Sequence, residues 1–209
     1  MARLEGVVWK RREMDPLTHL PRRGWLYRDL ERQLLKGREG DLFYIDLDDF
    51  ARINDDYGFE IGDKTLRRVV RRIRRRSPWN AELYRIGGDV FAVLLRGGSG
   101  RRAAVVAERL RSQIAAATTS YDHTQPGEQH CSLTATVAVV HWDRNAMRTP
   151  ESLLAAAVEL VTRGKREGKN RVVQDRQPEG QEPFAKRNRR ASDPIELGSS
   201  RPEVDILKA

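Results

Sequence analysis

Residues 82–95 read ELYRIGGDVFAVLL, and this stretch decides the fold. Its two apolar halves, 82–86 and 90–95, have the composition of β-strands, and residues 87–89 between them are Gly-Gly-Asp. Two strand-like runs separated by a glycine pair predict a β-hairpin, because glycine adopts the backbone angles that tight turns need. The aspartate would then be the acidic residue of the turn.

Three further strands are predicted on either side of this hairpin. Residues 41–47, DLFYIDL, form a nearly continuous apolar run that is typical of a central strand, and Asp46 lies at its end. Residues 132–141 alternate between apolar and polar side chains, as expected of a half-buried strand. A short strand is predicted near residues 172–173. The segment 120–130 is polar and is expected to be irregular.

The other ordered segments have the period of amphipathic helices, with apolar residues three or four positions apart. They are residues 22–36, 49–56, 63–76, 101–118 and 150–166. From residue 41 the order of elements is β-α-α-β-β-α-β-α-β. This order predicts an α+β fold with a mixed central β-sheet flanked by helices.

The 209 residues divide into one domain and two flanking segments. Residues 15–174 are predicted to form the domain, after an N-terminal extension over residues 1–14. From about residue 175 the apolar periodicity ends, and proline, glycine, serine and mixed charges become frequent. This composition predicts a disordered tail over residues 175–209, because such a segment cannot bury enough apolar surface to fold.

Composition excludes several classes of protein. The apolar runs are too short to cross a bilayer, and the N-terminus lacks an apolar stretch of signal-peptide length. Cys131 is the sole cysteine, which excludes an internal disulfide framework and a cysteine-rich zinc site. We therefore expect a cytoplasmic protein without a membrane partner.

The formal net charge is +9, and much of it comes from one helical segment. Residues 63–76 contain eight basic residues and one acidic residue, a net charge of +7. A helix of one charge sign can bind nucleic acid, but it can equally be a solvated helix face. No aromatic residue is interleaved with these arginines. We therefore do not expect nucleic acid as a partner, and a basic nucleic-acid-binding module is kept as an alternative function.

Four motifs, in order, resemble those of the GGDEF domain, the catalytic module of diguanylate cyclases. DPLTHLPRR at residues 15–23 is similar to the family's D-x-L-T-G-L-P-N-R, and residues 44–69 are similar to its D-x-D-x-F-K-x-I-N-D segment. The hairpin stands where the family has R-x-G-G-D-E-F, and residues 162–173, TRGKREGKNRVV, resemble its closing K-x-x-G-[RK]-N motif. The resemblance covers about residues 11–174.

The resemblance implies a ferredoxin-like, palm-type nucleotidyl cyclase fold. Members of the family join two GTP molecules into cyclic di-GMP, with divalent metal to neutralise phosphate charge. Asp46 and Asp89 match the family's catalytic, metal-binding carboxylates, and Leu47 matches the residue that lends its backbone carbonyl to the metal. Oxygen ligands of this kind suit Mg²⁺ or Mn²⁺.

Further nucleotide-binding residues are implied in the same way. Asn54 and Asp63 match the family's guanine-reading pair, since an amide donates to guanine O6 and a carboxylate accepts from its N–H groups. An alternative for Asp63 is the N-cap of the helix that is predicted to begin there. The remaining matches are the turn glycines and the basic residues that hold the triphosphate: Gly87, Gly88, Lys165 and Lys169. For the two lysines, a solvated helix end is the alternative.

Val90 is the main departure from the family's pattern, because it stands where the signature has glutamate. In the family that glutamate is assigned to metal coordination or to activation of the 3′-hydroxyl, and valine can do neither. The product-inhibition motif R-x-x-D is also absent, since residues 78–81 read PWNA. We therefore expect a GGDEF-like protein of cyclic di-GMP signalling that binds GTP with divalent metal and is weak or inactive as a cyclase.

An active, divergent diguanylate cyclase that makes cyclic di-GMP from two GTP molecules is the alternative within the family. In that case Asp48 or Asp49 is expected to compensate in part for the missing glutamate. The expected partners are GTP, a second copy of the chain in a transient homodimer, and a protein partner that receives the signal.

Overall fold

The computed structural model describes residues 13–98, 100, 102–116, 119–121, 129–131, 133–143 and 148–175. For the two short segments 119–121 and 129–131 it describes the backbone alone. Most of the extension at 1–14 and of the tail at 175–209 lies outside the described residues, so both remain predictions. None of the described helices is long and apolar enough to cross a membrane.

Five helices and seven strands occur in the described part of the chain. The helices are α1 (Arg23–Leu35), α2 (Phe50–Tyr57), α3 (Phe59–Arg76), α4 (Ala103–Ala115) and α5 (Pro150–Arg166). The strands are β1 (Gly40–Asp48), β2 (Ala81–Arg85), β3 (Val90–Arg96), β4 (Thr119–Tyr121), β5 (Gln129–Cys131), β6 (Thr134–Trp142) and β7 (Val172–Gln174). Apart from the short β4 and β5, this is the predicted order of elements.

Five of the strands form the central sheet, in the order β2-β3-β1-β6-β7. Neighbouring strands are antiparallel except β6 and β7, which run parallel, so the sheet is mixed as predicted. β2 and β3 form the predicted hairpin, in which Arg85 is opposite Phe91. β1 lies between β3 and β6 and therefore carries its last residues to the middle of one end of the sheet.

Helices cover both faces of the sheet, which explains the continuous apolar run of β1. Phe43, Ile45 and Leu47 belong to one buried cluster, together with side chains of α2, α3 and α4. Leu42 belongs to a second cluster, to which α1 and α5 contribute. Because successive strand residues alternate between faces, Asp46 lies on the face that α1 and α5 cover.

The start of α3 differs from the prediction. The helix begins at Phe59, so Asp63 is its fifth residue, and the alternative interpretation of Asp63 as an N-cap is wrong. Gly58, with a φ of 82°, separates α2 from α3. The sequence pattern predicts the helix only after Gly62, because two glycines four positions apart favour a loop over a helix.

A second sheet lies in the segment that was expected to be irregular. β4 and β5 pair antiparallel, with Thr119 opposite Cys131. Strands of three residues are too short to show an alternation of apolar and polar side chains, so the sequence pattern missed them. The prediction is therefore wrong at both ends of 120–130, and residues 122–128 lie outside the described residues.

Candidate functional site

The end of β1 meets the hairpin turn at one end of the sheet. Asp46 pairs directly with Val90 of β3 on one side and with Thr136 of β6 on the other. The backbone N–H of Leu47 donates to the carbonyl oxygen of Asp89 at 3.2 Å. Strand pairing therefore brings together the three residues that were predicted to hold a metal ion.

The carboxylate of Asp46 is largely enclosed and is paired with a lysine. Its side chain is 18% exposed, and Nζ of Lys165 on α5 lies 2.6 Å from its Oδ1. Burial raises the pKa of Asp46, Lys165 lowers it, and the negative charges of Asp89 and Asp48 raise it again, with a net rise. Lys165 alone therefore does not offset the burial and crowding of negative charge, and a further cation would stabilise the site.

The candidate donor set suits a divalent metal ion. Two carboxylates and a backbone carbonyl are hard oxygen ligands, which Mg²⁺ and Mn²⁺ prefer. The positively charged ammonium group of Lys165 already contacts Asp46. Within the described residues, however, no group of three or more His, Cys, Asp or Glu side chains could hold a metal ion. The described side chains would therefore supply only part of the coordination shell of such an ion.

Both predicted phosphate-binding lysines reach this end of the sheet from the C-terminus of α5. The helix is capped at its start by Thr149, whose hydroxyl accepts a hydrogen bond from the N–H of Ser152. Lys165 lies in the last turn, and Lys169 follows in the loop, where its Nζ is 2.6 Å from Oδ1 of Asp49. This hydrogen bond lowers the pKa of Asp49. Each lysine thus contacts an acid at the end of β1.

The predicted guanine-reading residues lie on two successive helices. Asn54 is in α2 and Asp63 is in α3, where Nη2 of Arg67 is 3.9 Å from the Asp63 carboxylate. A Cβ atom on Gly62 would collide with Oδ1 of Asn54, so the Asn54 amide lies against the backbone next to Asp63. Asn54 thus contacts the residue that precedes Asp63, and no hydrogen bond or ion pair among the described residues links either of them to Asp46.

Arg85 supports the hairpin turn and was not predicted as a site residue. Its Nε donates to the carbonyl oxygen of Gly87 at 3.1 Å and its Nη2 to that of Gly88 at 2.7 Å. Its Nη1 lies 2.7 Å from Asp15, which also accepts from the N–H and hydroxyl of Thr18. Burial raises the pKa of Asp15, but the bonds from Thr18 and Arg85 outweigh this effect and hold the pKa below its usual value.

The turn itself is open. Gly87 and Gly88 are exposed, and a Cβ atom on either would meet no atom within 4 Å. Packing within the chain therefore does not require glycine here, and the free space suits a ligand that approaches the backbone closely. The signal for the supporting contact was present in the sequence, since Asp15 begins the first quoted motif and Arg85 begins the hairpin motif.

Val90 is half-buried and shares a sheet face with Asp46, because directly opposite residues of neighbouring strands point to the same side. An apolar side chain therefore stands beside the Asp46 carboxylate. The side chain at this position offers no oxygen to a metal ion and no base to a hydroxyl group.

The comparison with known families agrees with this arrangement. The family model described as "Diguanylate cyclase, GGDEF domain" matches residues 12–171. The chain therefore belongs to the GGDEF domain family of diguanylate cyclases. Members of this family generally use divalent metal ions, in agreement with the oxygen ligands of the site.

Three similar proteins, all from Pseudomonas aeruginosa, illustrate the likeness. Diguanylate cyclase DgcP is 34% identical over 162 residues, which cover 76% of this chain and 23% of that protein. The structure of a truncated PA1120 that comprises only the GGDEF domain is 28% identical, with a TM-score of 0.70, and the match covers 78% of this chain and 95% of that one. Diguanylate cyclase SiaD, crystallised with its activator SiaC, is 27% identical with a TM-score of 0.69 and coverages of 77% and 61%. The chain thus spans about a quarter of the length of DgcP.

Proposed function

We propose that this chain acts in cyclic di-GMP signalling as a GGDEF domain that binds GTP with a divalent metal ion and turns it over slowly or not at all. The observation that carries this proposal is the pairing of Asp46 with Val90 on β3, while Lys165 on α5 contacts the same carboxylate. An apolar side chain stands where the family has its glutamate. The charged groups that would bind metal and phosphate are still in place.

Charge supports the binding of a triphosphate. Lys165 and Lys169 converge on the end of β1, each paired with an acid. Asp46, the carbonyl of Leu47 and Asp89 would hold the metal ion, which neutralises phosphate charge and polarises the attacked phosphorus when it is bound. Lys165 would then turn from Asp46 to a phosphate oxygen.

Selection of guanine is assigned to Asn54 and Asp63. The Asn54 amide lies against Gly62, next to Asp63, so the two polar groups can address one base. A carboxylate accepts hydrogen bonds from the N1–H and N2–H groups of guanine, and adenine has neither group at these positions. The pair would therefore favour GTP over ATP.

Slow turnover follows from Val90. Loss of a general base typically lowers a rate by about 10²–10⁴-fold. Asp49, one of the two acids expected to compensate, is instead held by Lys169 at 2.6 Å, with its backbone in the left-handed region at a φ of 53°. In this arrangement the ion pair with Lys169, and not a reacting hydroxyl group, occupies the Asp49 carboxylate.

An active, divergent diguanylate cyclase is the second candidate. The observation in its favour is that Asp46, Asp89 and the two lysines occupy one end of the sheet despite the valine. Since the reaction joins two GTP molecules, this candidate requires a transient homodimer. A protein partner is proposed in either case, as SiaD was crystallised with its activator. We also propose a cytoplasmic location, because GTP is a cytoplasmic nucleotide.

Thermal unfolding with and without nucleotide tests the proposal. GTP with Mg²⁺ or Mn²⁺ is expected to raise Tm, because a ligand that binds only the folded state stabilises it, whereas ATP is expected to have little effect. The Asp89→Ala variant is the control and is expected to lose the metal-dependent part of the rise. A wild-type Tm that responds to neither nucleotide would overturn the proposal.

A further inference from the structure

Asp48 is a buried acid beside the candidate site, and its hydrogen bonds point to one function. The residue is 5% exposed. Its Oδ1 accepts a hydrogen bond from the hydroxyl of Thr136 at 2.8 Å, and its Oδ2 accepts one from the hydroxyl of Thr134 at 2.7 Å. Oδ2 also accepts from the backbone N–H of Asn170 at 2.9 Å. With three donors on one buried carboxylate, Asp48 is not free to replace the missing glutamate.

The bond to Asn170 fixes the loop that carries Lys169. Lys169 and Asn170 are consecutive non-glycine residues with positive φ, 59° and 46°, a conformation that is costly for L-residues. The backbone N–H of Lys169 donates to the carbonyl oxygen of Gly164 at 3.0 Å. The charge-assisted hydrogen bond that the Asn170 N–H donates to Asp48 thus holds a strained turn directly after α5.

The same cluster sets the approach of α5 to the sheet. A Cβ atom on Gly164 would lie 2.6 Å from Cγ2 of Thr136, so the helix end contacts the strand residue that Asp48 binds. Lys165 is the next residue of the helix and reaches Asp46. Asp48 therefore bonds to β6 and to the loop that follows α5, and its partner Thr136 contacts the end of α5.

We propose that Asp48 is a positioning residue that holds Lys165 and Lys169 in place to contact the triphosphate. This inference rests on the proposed function, because the lysines matter only if a phosphate ligand binds. Without the Asp48 carboxylate, the N–H of Asn170 loses its acceptor and the two threonine hydroxyls lose theirs. The strained turn would then relax and the lysines would no longer converge on the end of β1.

Two ligands separate this role from a general loss of structure. Asp48→Asn keeps the side-chain shape, but its amide cannot supply three acceptor positions. GTP with Mg²⁺ is expected to bind it about tenfold more weakly than wild type, the effect of losing one hydrogen bond to a charged group. Guanosine, which lacks phosphate, is expected to bind equally well to both. Glu31→Gln, which removes an exposed acid of α1, is the matched control and is expected to change neither affinity.

A double-mutant cycle and a second variant make the experiment decisive. Because Asp48 is proposed to act through both lysines, the loss of GTP affinity in the double variant Asp48→Asn, Lys169→Gln is expected to be smaller than the sum of the losses in the two single variants. Additive effects, or an equal loss of affinity for GTP and for guanosine, would overturn the proposal.

If Asp48→Asn does not fold, Thr136→Val replaces it, since valine keeps the methyl contact with Gly164 and removes one donor to Asp48. A smaller loss in GTP affinity alone is then expected, and an unchanged affinity overturns the proposal.

Hydrogen exchange keeps this test separate from the proposed function. If wild-type protein binds neither GTP nor guanosine, the proposed function fails, and the positioning role is judged by the amide of Asn170. Its exchange, followed by NMR without ligand, is expected to be slow in wild type and Glu31→Gln and at least tenfold faster in Asp48→Asn. Equal exchange in all three would overturn the positioning role.

Discussion

Val90 lies directly opposite Asp46 in the antiparallel pairing of β3 and β1. Side chains in such a pair point to the same face, with Cβ atoms about 4.5–5.5 Å apart. The residue at position 90 therefore decides whether a second carboxylate faces the first at this point of the sheet. With valine at position 90, the other ligands of a metal ion bound to Asp46 would have to come from Asp89 and from a bound molecule.

Val90→Glu is expected to raise the rate of cyclic dinucleotide formation from GTP by about 10²-fold or more, because it restores the family's base or ligand. Chromatography of the products at high protein concentration measures this rate. Val90→Gln introduces a side chain with the shape of glutamate but without its charge. It is the control and is expected to stay at the wild-type rate. Equal rates for all three proteins would show that position 90 does not limit turnover.

The same substitution is expected to reduce stability when no divalent ion is present. Like charges directly opposite each other in a sheet are unfavourable, by about 0.5 kcal/mol for an exposed pair. Urea unfolding of Val90→Glu in EDTA and in Mn²⁺ measures the effect, and the ion is expected to reverse it. A destabilisation that Mn²⁺ leaves unchanged would argue against a shared metal site.

Asp46→Asn is expected to stabilise the ligand-free protein at neutral pH. The pKa of Asp46 is raised in the folded state, so folding favours its protonated form, and its contribution to stability falls as pH rises from about 3.8 through the raised value. The variant removes this penalty and is expected to raise Tm by about 2 °C at pH 7. The difference is expected to vanish as pH falls below the usual aspartate range. Thermal unfolding between pH 3 and pH 8 measures the difference in Tm between the variant and wild type. A difference that favours the variant less at pH 7 than at pH 4 would contradict the prediction.

Arg85→Lys is expected to lower the free energy of unfolding by about 2 kcal/mol. Lysine keeps the charge but cannot donate at once to Asp15 and to the carbonyl oxygens of Gly87 and Gly88. Urea unfolding measures the loss. Arg52→Lys, at a side chain that is 81% exposed, is the matched control and is expected to change stability by less than about 0.5 kcal/mol. Equal effects at both positions would rule out a special role of Arg85.

Gly62→Ala is expected to separate stability from nucleotide binding. Alanine favours a helix interior over glycine by about 1 kcal/mol, and the atom that its Cβ would strike is the terminal oxygen of the Asn54 side chain, which can rotate away. The variant should therefore fold at least as stably as wild type while the displaced Asn54 weakens GTP binding by about tenfold. Gly24→Ala in α1, where a Cβ atom meets nothing within 4 Å, is the control and should leave GTP binding unchanged. GTP affinity at the wild-type level in Gly62→Ala would show that Asn54 does not read the base.

Much of the fold was predictable because the decisive elements depend on local pattern. A continuous apolar run in the sequence indicates that β1 is a central strand, and a glycine pair indicates the turn of the hairpin. The start of α3 was placed too late, since glycines at 58 and 62 obscure a helix that packing stabilises. β4 and β5 were missed because strands of three residues carry no period.

The site was predictable to a lesser extent, because its contacts join distant parts of the chain. A family resemblance was sufficient to propose the site residues Asp46, Asp89, Lys165 and Lys169. That Lys165 meets Asp46, 119 positions away, depends on how α5 packs on the sheet. The supporting residues Arg85 and Asp48 carry no signal of their own outside the motifs, since folding brings their partners together from distant parts of the chain: Asp15 and turn carbonyls for Arg85, and two threonine hydroxyls and the Asn170 N–H for Asp48.

The most direct test of the central claim is isothermal titration of GTP into the wild-type chain with Mg²⁺, followed by chromatography of the same sample. We predict saturable binding near one GTP per chain, with its Mg²⁺-dependent part lost in Asp89→Ala and with nearly all the GTP recovered intact. Absence of binding would contradict the assignment of a nucleotide site, and rapid conversion of GTP to a cyclic dinucleotide would contradict the claim that Val90 disables turnover.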